Sequence, residues 1–166
     1  MITIKEIKTK KEQRIFIDFP VSLYKDNPYF VPTLAIDERL NMDPKKNPAY
    51  KHCEARFFLA YKDNKVVGRI GGIINYKYNE KMNVSQVRFT RFDVIDDIEV
   101  SKALFDTIVA WGKERGMHEI VGPIGFSDLD KQGMLVEGFE EMNLFITLYN
   151  HPYYLEHMQQ LGFAKD

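Results

Sequence analysis

The spacing of apolar positions changes between Val87 and Gly116. From Val87 to Ile95 apolar and polar residues alternate, with Val87, Phe89 and Ile95 assigned to one face, as in a half-buried strand. Val100, Leu104, Ile108 and Trp111 then recur at helical spacing with Ala103 beside them, which predicts a long helix ending at Gly116. Asp96 to Glu99 has the form of a capping box with Asp96 as cap, and Lys113 and Arg115 stand in the last turn. A strand feeding a helix N-terminus is a common place to hold an anionic cofactor, because unpaired amides and the helix dipole both point there.

The same signals divide the rest of the chain. Ile2 to Lys8 alternates as a short strand, and Thr9-Lys10-Lys11-Glu12 is a capping box that opens a helix with Ile15, Phe16, Phe19 and Leu23 on its apolar side. Pro20 is expected to kink or divide that helix, since it lacks an amide donor and crowds the preceding turn. Asn27 to Pro32 is an extended link, Ile36 to Met42 one or two helical turns, and Asp43 to Pro48 a turn. Ala55–Tyr61 and Val66–Tyr76 form a hairpin about Lys62-Asp63-Asn64-Lys65. Three glycines in the return strand point to a bulge or a close backbone approach. Tyr78 to Asn83 reads as a polar turn, His118 to Gly125 as a strand, and Phe126 to Gly138 as a polar loop. Met142 to Tyr149 has strand composition, and Asn150-His151-Pro152 starts a last helix that stops at Gly162-Phe163.

Composition narrows the class. A chain of 166 residues fits one domain with a core of its own. Its 23 basic and 24 acidic residues carry no sign-biased tail, which argues against a nucleic-acid platform. The single cysteine, Cys53, excludes an internal disulfide framework. No apolar run is long enough to span a bilayer and no signal pattern follows Met1, so the expectation is a soluble cytoplasmic protein without membrane partners. His52-Cys53-Glu54 alternate sides of a strand and cannot jointly bind a metal, and Ser127 to Asp130 lacks calcium-loop spacing; no metal site is assigned. His118 reads as a helix-end cap.

The order strand, helix, hairpin, third antiparallel strand, long helix, strand, last helix resembles the GNAT superfamily of N-acetyltransferases over nearly the whole chain. Asn64-Lys65-Val66-Val67-Gly68, the Val87–Gly116 unit and the closing Leu161-Gly162-Phe163 carry the resemblance. It implies an α/β (α+β) fold: a mixed, mostly antiparallel sheet with helices on both faces. The strands flanking the long helix splay apart there, and acetyl-CoA or another acyl-CoA lies in the gap. The implied activity is direct acyl transfer to a small-molecule or peptide amine, with a general base and an acid, often Tyr, for the departing thiol. Phe30-Val31-Pro32, Asp43 to Pro48 and Leu135 to Phe139 look more narrowly like an uncharacterised bacterial GNAT-like group whose members are usually longer. The expectation is one domain over residues 1–166, the N-terminal part of a bigger protein, with association to a further domain or a second copy left open.

Departures from the family pattern matter equally. The family's phosphate loop, Arg/Gln-x-x-Gly-x-Gly/Ala, falls on Asp96, Glu99 and Ser101, so acidic groups stand where a pyrophosphate would sit. The usual Tyr acid position falls on Met158, which cannot donate a proton. Tyr153 and Tyr154 are then the candidates for the acid or the acyl pocket, against simple aromatic packing of the last helix. Glu137 and Asp93 are candidate bases, against solvated carboxylates. Phe92, Asp93, Val94 and Ile95 offer strand backbone to the pantetheine amides, with Ser101 and Asn150 as further cofactor contacts. Asn150 reads equally as a helix cap, and His151 as a capping or a site residue. Two functions follow: an acyl-CoA-dependent N-acyltransferase with an altered phosphate loop, or a non-catalytic GNAT-like module that binds another ligand or a partner domain.

Overall fold

A computed structural model describes residues 1–144 and 147–165. The capping box at Thr9 forms in full. The Thr9 hydroxyl accepts from the amide of Glu12 at 3.2 Å, and the Glu12 carboxylate accepts from the amide of Thr9 at 2.9 Å. Strand β1 (Ile2–Glu6) precedes it and helix α1 (Lys10–Leu23) follows. Helix α1 runs through Pro20 undivided, and the carbonyl of Pro20 still accepts from the amide of Tyr24. Helix α2 (Ala35–Met42) and a short 3₁₀ turn (Pro48–Lys51) lead to the hairpin β2 (Cys53–Lys62) and β3 (Lys65–Asn75). Its turn residues Asp63 and Asn64 are both left-handed, with φ of 51° and 62°, as a two-residue hairpin needs.

The next segment corrects the sequence reading. Tyr76 to Met82 is a helix, α3, rather than a polar turn, because Asn75 caps its start and left-handed Asn83 closes its end. Strand β4 (Gln86–Val94), helix α4 (Ile98–Glu114), strand β5 (Glu119–Val121) and helix α5 (Tyr153–Gln160) complete the order. The sheet runs β1-β2-β3-β4-β5, antiparallel except for the parallel pair β4–β5. It is a mixed α/β sheet with helices on both faces, as the resemblance implies.

Both faces of β4 are covered, so strict alternation of apolar and solvent-facing residues does not hold. One core joins Val87, Phe89, Phe92 and Val94 to Val100, Leu104, Phe105, Ile108 and Trp111 of α4. The other joins Phe16 and Ile17 of α1 to Phe57, Leu59, Ile73 and Phe126. Period two would have put Phe92 and Val94 opposite Phe89. An extra residue, Arg91, shifts the register against β3 between Arg69 and Gly71 and takes a left-handed φ of 49°. This β-bulge returns Phe92 and Val94 to the α4 side, against whose core the expected Ile95 also packs, and turns Asp93 to the other.

The β3 glycines flank the bulge and make room mostly for side chains, although a Cβ at Gly68 would also stand 3.3 Å from the backbone carbonyl of Asp93. A Cβ at Gly68 would stand 2.9 Å from Leu104, and one at Gly72 would stand 2.8 Å from Ile108 and Trp111. Helix α4 therefore lies directly on β3, which fixes its N-terminus beside the end of β4.

Strand β5 is shorter than expected. Pairing with β4 stops at Arg88 opposite Val121, and the last backbone bond runs from the amide of Ile124 to the carbonyl of Phe89 at 2.9 Å. The strand expected over Met142 to Tyr149 is not formed among its described residues; Phe145 and Ile146 lie outside them. Asn143 instead bonds the carbonyl of Tyr29 and the amide of Val31, tying this segment to the 29–31 link.

Candidate functional site

Beyond Phe89 the outer edge of β4 has no strand beside it among the described residues, and helix α5 takes that place. The amide of Ile95 bonds Val67 of β3, so the backbone of Val94 turns the other way, toward α5. The amide of Val94 donates to the hydroxyl of Tyr154 at 2.8 Å, and the hydroxyl of Tyr153 donates to the carbonyl of Val94 at 2.6 Å. Two tyrosines thus satisfy both backbone groups at the open edge.

A buried polar chain continues inward from Tyr154. Its hydroxyl lies 2.9 Å from that of Tyr24, which lies 3.2 Å from Asp93 Oδ1. The guanidinium of Arg69 donates to Asp93 Oδ2 at 2.7 Å and to the carbonyl of Phe16 at 2.9 Å. Tyr24, Tyr154, Asp93 and Arg69 are all buried. Burial, with the charge of Asp93 behind it, pushes the hydroxyls of Tyr24 and Tyr154 well above the ordinary phenol range. The ring of His151 packs against Tyr24 and stacks on Tyr153, and burial lowers its pKa against the pull of Asp93 and Asp96.

Asp93 lines two small cavities. One, of about 40 Å³, is bounded by α1, the Phe30–Thr33 link, Lys131, Asn143 and Thr147–Tyr149; the other, of about 20 Å³, lies toward Met134, Asn150 and Tyr154. Beside them the Arg91 guanidinium makes a two-point contact with Glu38 at 2.7 and 3.2 Å and reaches Asp130 at 3.5 Å. Burial opposes ionisation of Glu38, but Arg91 prevails and holds its carboxyl below the usual range.

The start of α4 is the third part of the site. Its cap is Asp97 rather than Asp96: the Asp97 carboxylate accepts from the amide of Glu99 at 3.1 Å and pairs with Lys62 at 2.6 Å. Asp96 instead faces α5, with His157 Nε2 3.2 Å from its carboxylate and His157 Nδ1 2.8 Å from the hydroxyl of Ser101. A Ser–imidazole–carboxylate line therefore pins α5 to the helix start.

The other candidates from the sequence are spread more widely. Phe92 packs its ring between Phe105 and Tyr154, and Ile95 is half-buried at the end of the strand. Asn150 caps no helix; its amide pairs with both backbone groups of Leu135, at 2.6 and 3.1 Å. Glu137 is exposed and lines neither cavity beside Asp93. His118 is exposed and its amide bonds the carbonyl of Ser85, which places it in the β5 approach rather than at a cap. Cys53 is buried, and burial raises its thiol to about 11.

Sequence reasoning missed Tyr24, Arg69 and His157. Only Arg69 carried a signal, as the residue opposite Asp93 in the neighbouring strand. As a cofactor cradle the site divides in two. The outward amide and carbonyl of Val94 match the needs of an extended amide chain such as pantetheine. The three carboxylates Asp96, Asp97 and Glu99 at the start of α4 do not suit a pyrophosphate.

No family model matches the chain. It is 33% identical over 162 residues to protein YghO of Escherichia coli, covering 98% of this chain and 41% of that protein. It is 27% identical over 165 residues to the bacterial ceramide synthase of Caulobacter vibrioides, covering 99% and 43%. The chain thus spans less than half the length of these curated relatives. Among solved structures, a tandem GNAT protein from the clavulanic acid biosynthesis pathway superposes with a TM-score of 0.61 at 12% identity, covering 98% of this chain and 43% of that one. A predicted acetyltransferase from Clostridium acetobutylicum, solved with acetyl-CoA, superposes with a TM-score of 0.57 at 12% identity, covering 100% and 92%.

Proposed function

From a chain that has the GNAT acetyltransferase fold, we propose acyl-CoA-dependent N-acyl transfer to an amine at the open edge of β4. The observation that carries this reading is the Val94 backbone pair, turned away from β3 and held by the hydroxyls of Tyr153 and Tyr154 beside the buried carboxylate of Asp93. Acyl-CoA supplies an activated thioester. Val94 would hold its pantetheine arm by the amide and carbonyl that the two tyrosines now occupy. Released from the Val94 amide, the Tyr154 hydroxyl would donate a proton to the departing sulfur. Asp93 would take the proton lost by the acceptor nitrogen. Asp96, Asp97 and Glu99 weaken the grip on the nucleotide end, so the acyl and pantetheine portions contribute most of the binding.

The acceptor is proposed to be a primary amine. The likeness to a ceramide synthase adds long-chain amino alcohols and long-chain acyl thioesters to the substrates worth offering. The test is thiol release by the purified protein, with acetyl-CoA and a long-chain acyl-CoA, each against ethanolamine and a sphingoid base. Amine-dependent release that Asp93→Asn abolishes supports the reading. No release, together with no calorimetric heat for either thioester, overturns it.

A second reading keeps the fold without the chemistry. The acidic start of α4 and the self-satisfied edge at Val94 favour a GNAT-like module whose groove is closed by its own α5. Absence of thioester binding both in this protein and in the Tyr153→Phe variant supports that reading.

A further inference from the structure

The chain of groups from Val94 to Arg69 has a direction, which follows from counting protons. Tyr24 has one hydroxyl proton and two oxygen neighbours, Asp93 Oδ1 at 3.2 Å and the Tyr154 hydroxyl at 2.9 Å. A carboxylate paired with Arg69 only accepts, whereas Tyr154 is able to donate. Tyr24 therefore donates to Asp93, and Tyr154 donates to Tyr24 while accepting from the amide of Val94. Every hydroxyl in the line points toward Asp93.

We propose that Tyr24 is a proton-relay residue that joins Asp93, on the acceptor side, to Tyr154, on the sulfur side. The proposal rests on the acyl-transfer reading above and adds the path by which one proton crosses the site. The new N–C bond forms as the thioester C–S bond breaks. Asp93 takes the surplus proton of the acceptor nitrogen and becomes a donor. The hydroxyls of Tyr24 and Tyr154 then turn about, so that Asp93 faces Tyr24, Tyr24 faces Tyr154, and Tyr154 faces outward along the edge of β4. Each oxygen passes on its own proton as it receives the next. The sulfur gains one proton, Asp93 loses one, and both hydroxyls point toward Asp93 again. The orientation derived from counting protons is the one such a passage leaves behind.

Two further features fit. Both tyrosines hold their protons firmly, so neither is left as an isolated phenolate, and transfer runs through the line in concert. The cavity beside Asp93, at about 40 Å³, has room for an amine group or a water and not for a whole substrate. It therefore suits a site where only the reacting nitrogen is buried.

The experiment compares the full chain with Tyr24→Phe, which keeps the ring and removes the relay oxygen. Two readouts are used, one of them independent of turnover. In proton NMR, the line gives slowly exchanging hydroxyl signals for Tyr24 and Tyr154. Tyr24→Phe removes the first and moves the second, and Asp93→Asn moves both. In thiol-release assays Tyr24→Phe lowers kcat by about 100-fold, the scale of one lost acid–base function, with KM for acetyl-CoA unchanged. The variant also loses the multi-proton dependence of rate on deuterium content. Retained kcat with an unmoved Tyr154 signal overturns the relay and leaves the acyl-transfer reading standing. Failure of the parent protein to transfer any acyl group overturns that reading, and with it the catalytic role of the relay. The NMR signals then show only whether the three groups are coupled.

Discussion

The hydroxyl of Tyr153 sits 2.6 Å from the carbonyl oxygen of Val94, on the stretch of the outer edge of β4 past its pairing with β5, where no strand lies among the described residues. With the Tyr154 contact to the amide of the same residue, it makes α5 a substitute for the missing strand. Any ligand that pairs with this backbone must first exchange with the two hydroxyls.

That competition predicts opposite effects of one substitution. Tyr153→Phe removes a bond worth about 1 kcal/mol to the folded protein, so the urea midpoint falls slightly. It also frees the Val94 carbonyl, so acetyl-CoA binding tightens by roughly fivefold, the same energy read as affinity. Calorimetry on parent and variant checks this. Weaker binding in the variant would mean that the hydroxyl holds the cofactor instead of competing with it.

At the start of α4, Asp96 is mostly exposed and faces His157. Asp96→Asn removes one like charge from the phosphate region. The repulsion at such a surface position is small, so acetyl-CoA affinity should rise by roughly two- to threefold. The gap between parent and variant should close as salt is raised from low to physiological ionic strength. A gap that ignores salt would assign the effect to the lost His157 contact.

The framework of the fold was legible because its signals are local. The Thr9–Glu12 box, the Asp63-Asn64 turn and the spacing of Val100, Leu104, Ile108 and Trp111 each depend on residues within a few positions of one another. The site is assembled from residues far apart in the chain: Tyr24 meets Tyr154 across 130 positions, and Ser101 meets His157 across 56. No spacing rule links such pairs. The bulge at Arg91 hid the rest, because one left-handed residue reversed which side of β4 faces α4 and sent Asp93 into the second core. The Met142–Tyr149 segment misled for a related reason. Its composition suits a strand, but the edge of β4 is already taken by β5 and by the tyrosines.

The pair Glu38–Arg91 holds α2 onto the bulge, and both side chains are buried. Glu38→Gln leaves the Arg91 charge with only the longer contact to Asp130. Breaking a buried pair from one side costs about 3 kcal/mol. Thermal and urea unfolding should both register a loss of that size. The near-neutral change expected of an exposed pair would show that Asp130 and water compensate.

Acid should weaken the fold in two separable steps. His151 is partly buried and its pKa is lowered in the folded protein, so the folded state binds its proton less readily than the unfolded chain does. Its contribution is complete above the unfolded value of about 6.5 and is lost as pH falls through the lower folded value. Glu38 is also lowered, by Arg91 acting against burial, so its contribution is complete above about 4.3 and is lost as pH falls further through the folded value. Urea midpoints measured from pH 8 to pH 3 should therefore fall first below neutrality and again below about pH 4. His151→Gln should remove the first step, and Glu38→Gln should shrink the second, to which the lowered carboxyls of Glu12, Glu54 and Asp97 also contribute. Stability that rises between pH 8 and pH 6 would reverse the sign assigned to His151, and would mean that Asp93 and Asp96 outweigh burial at that ring.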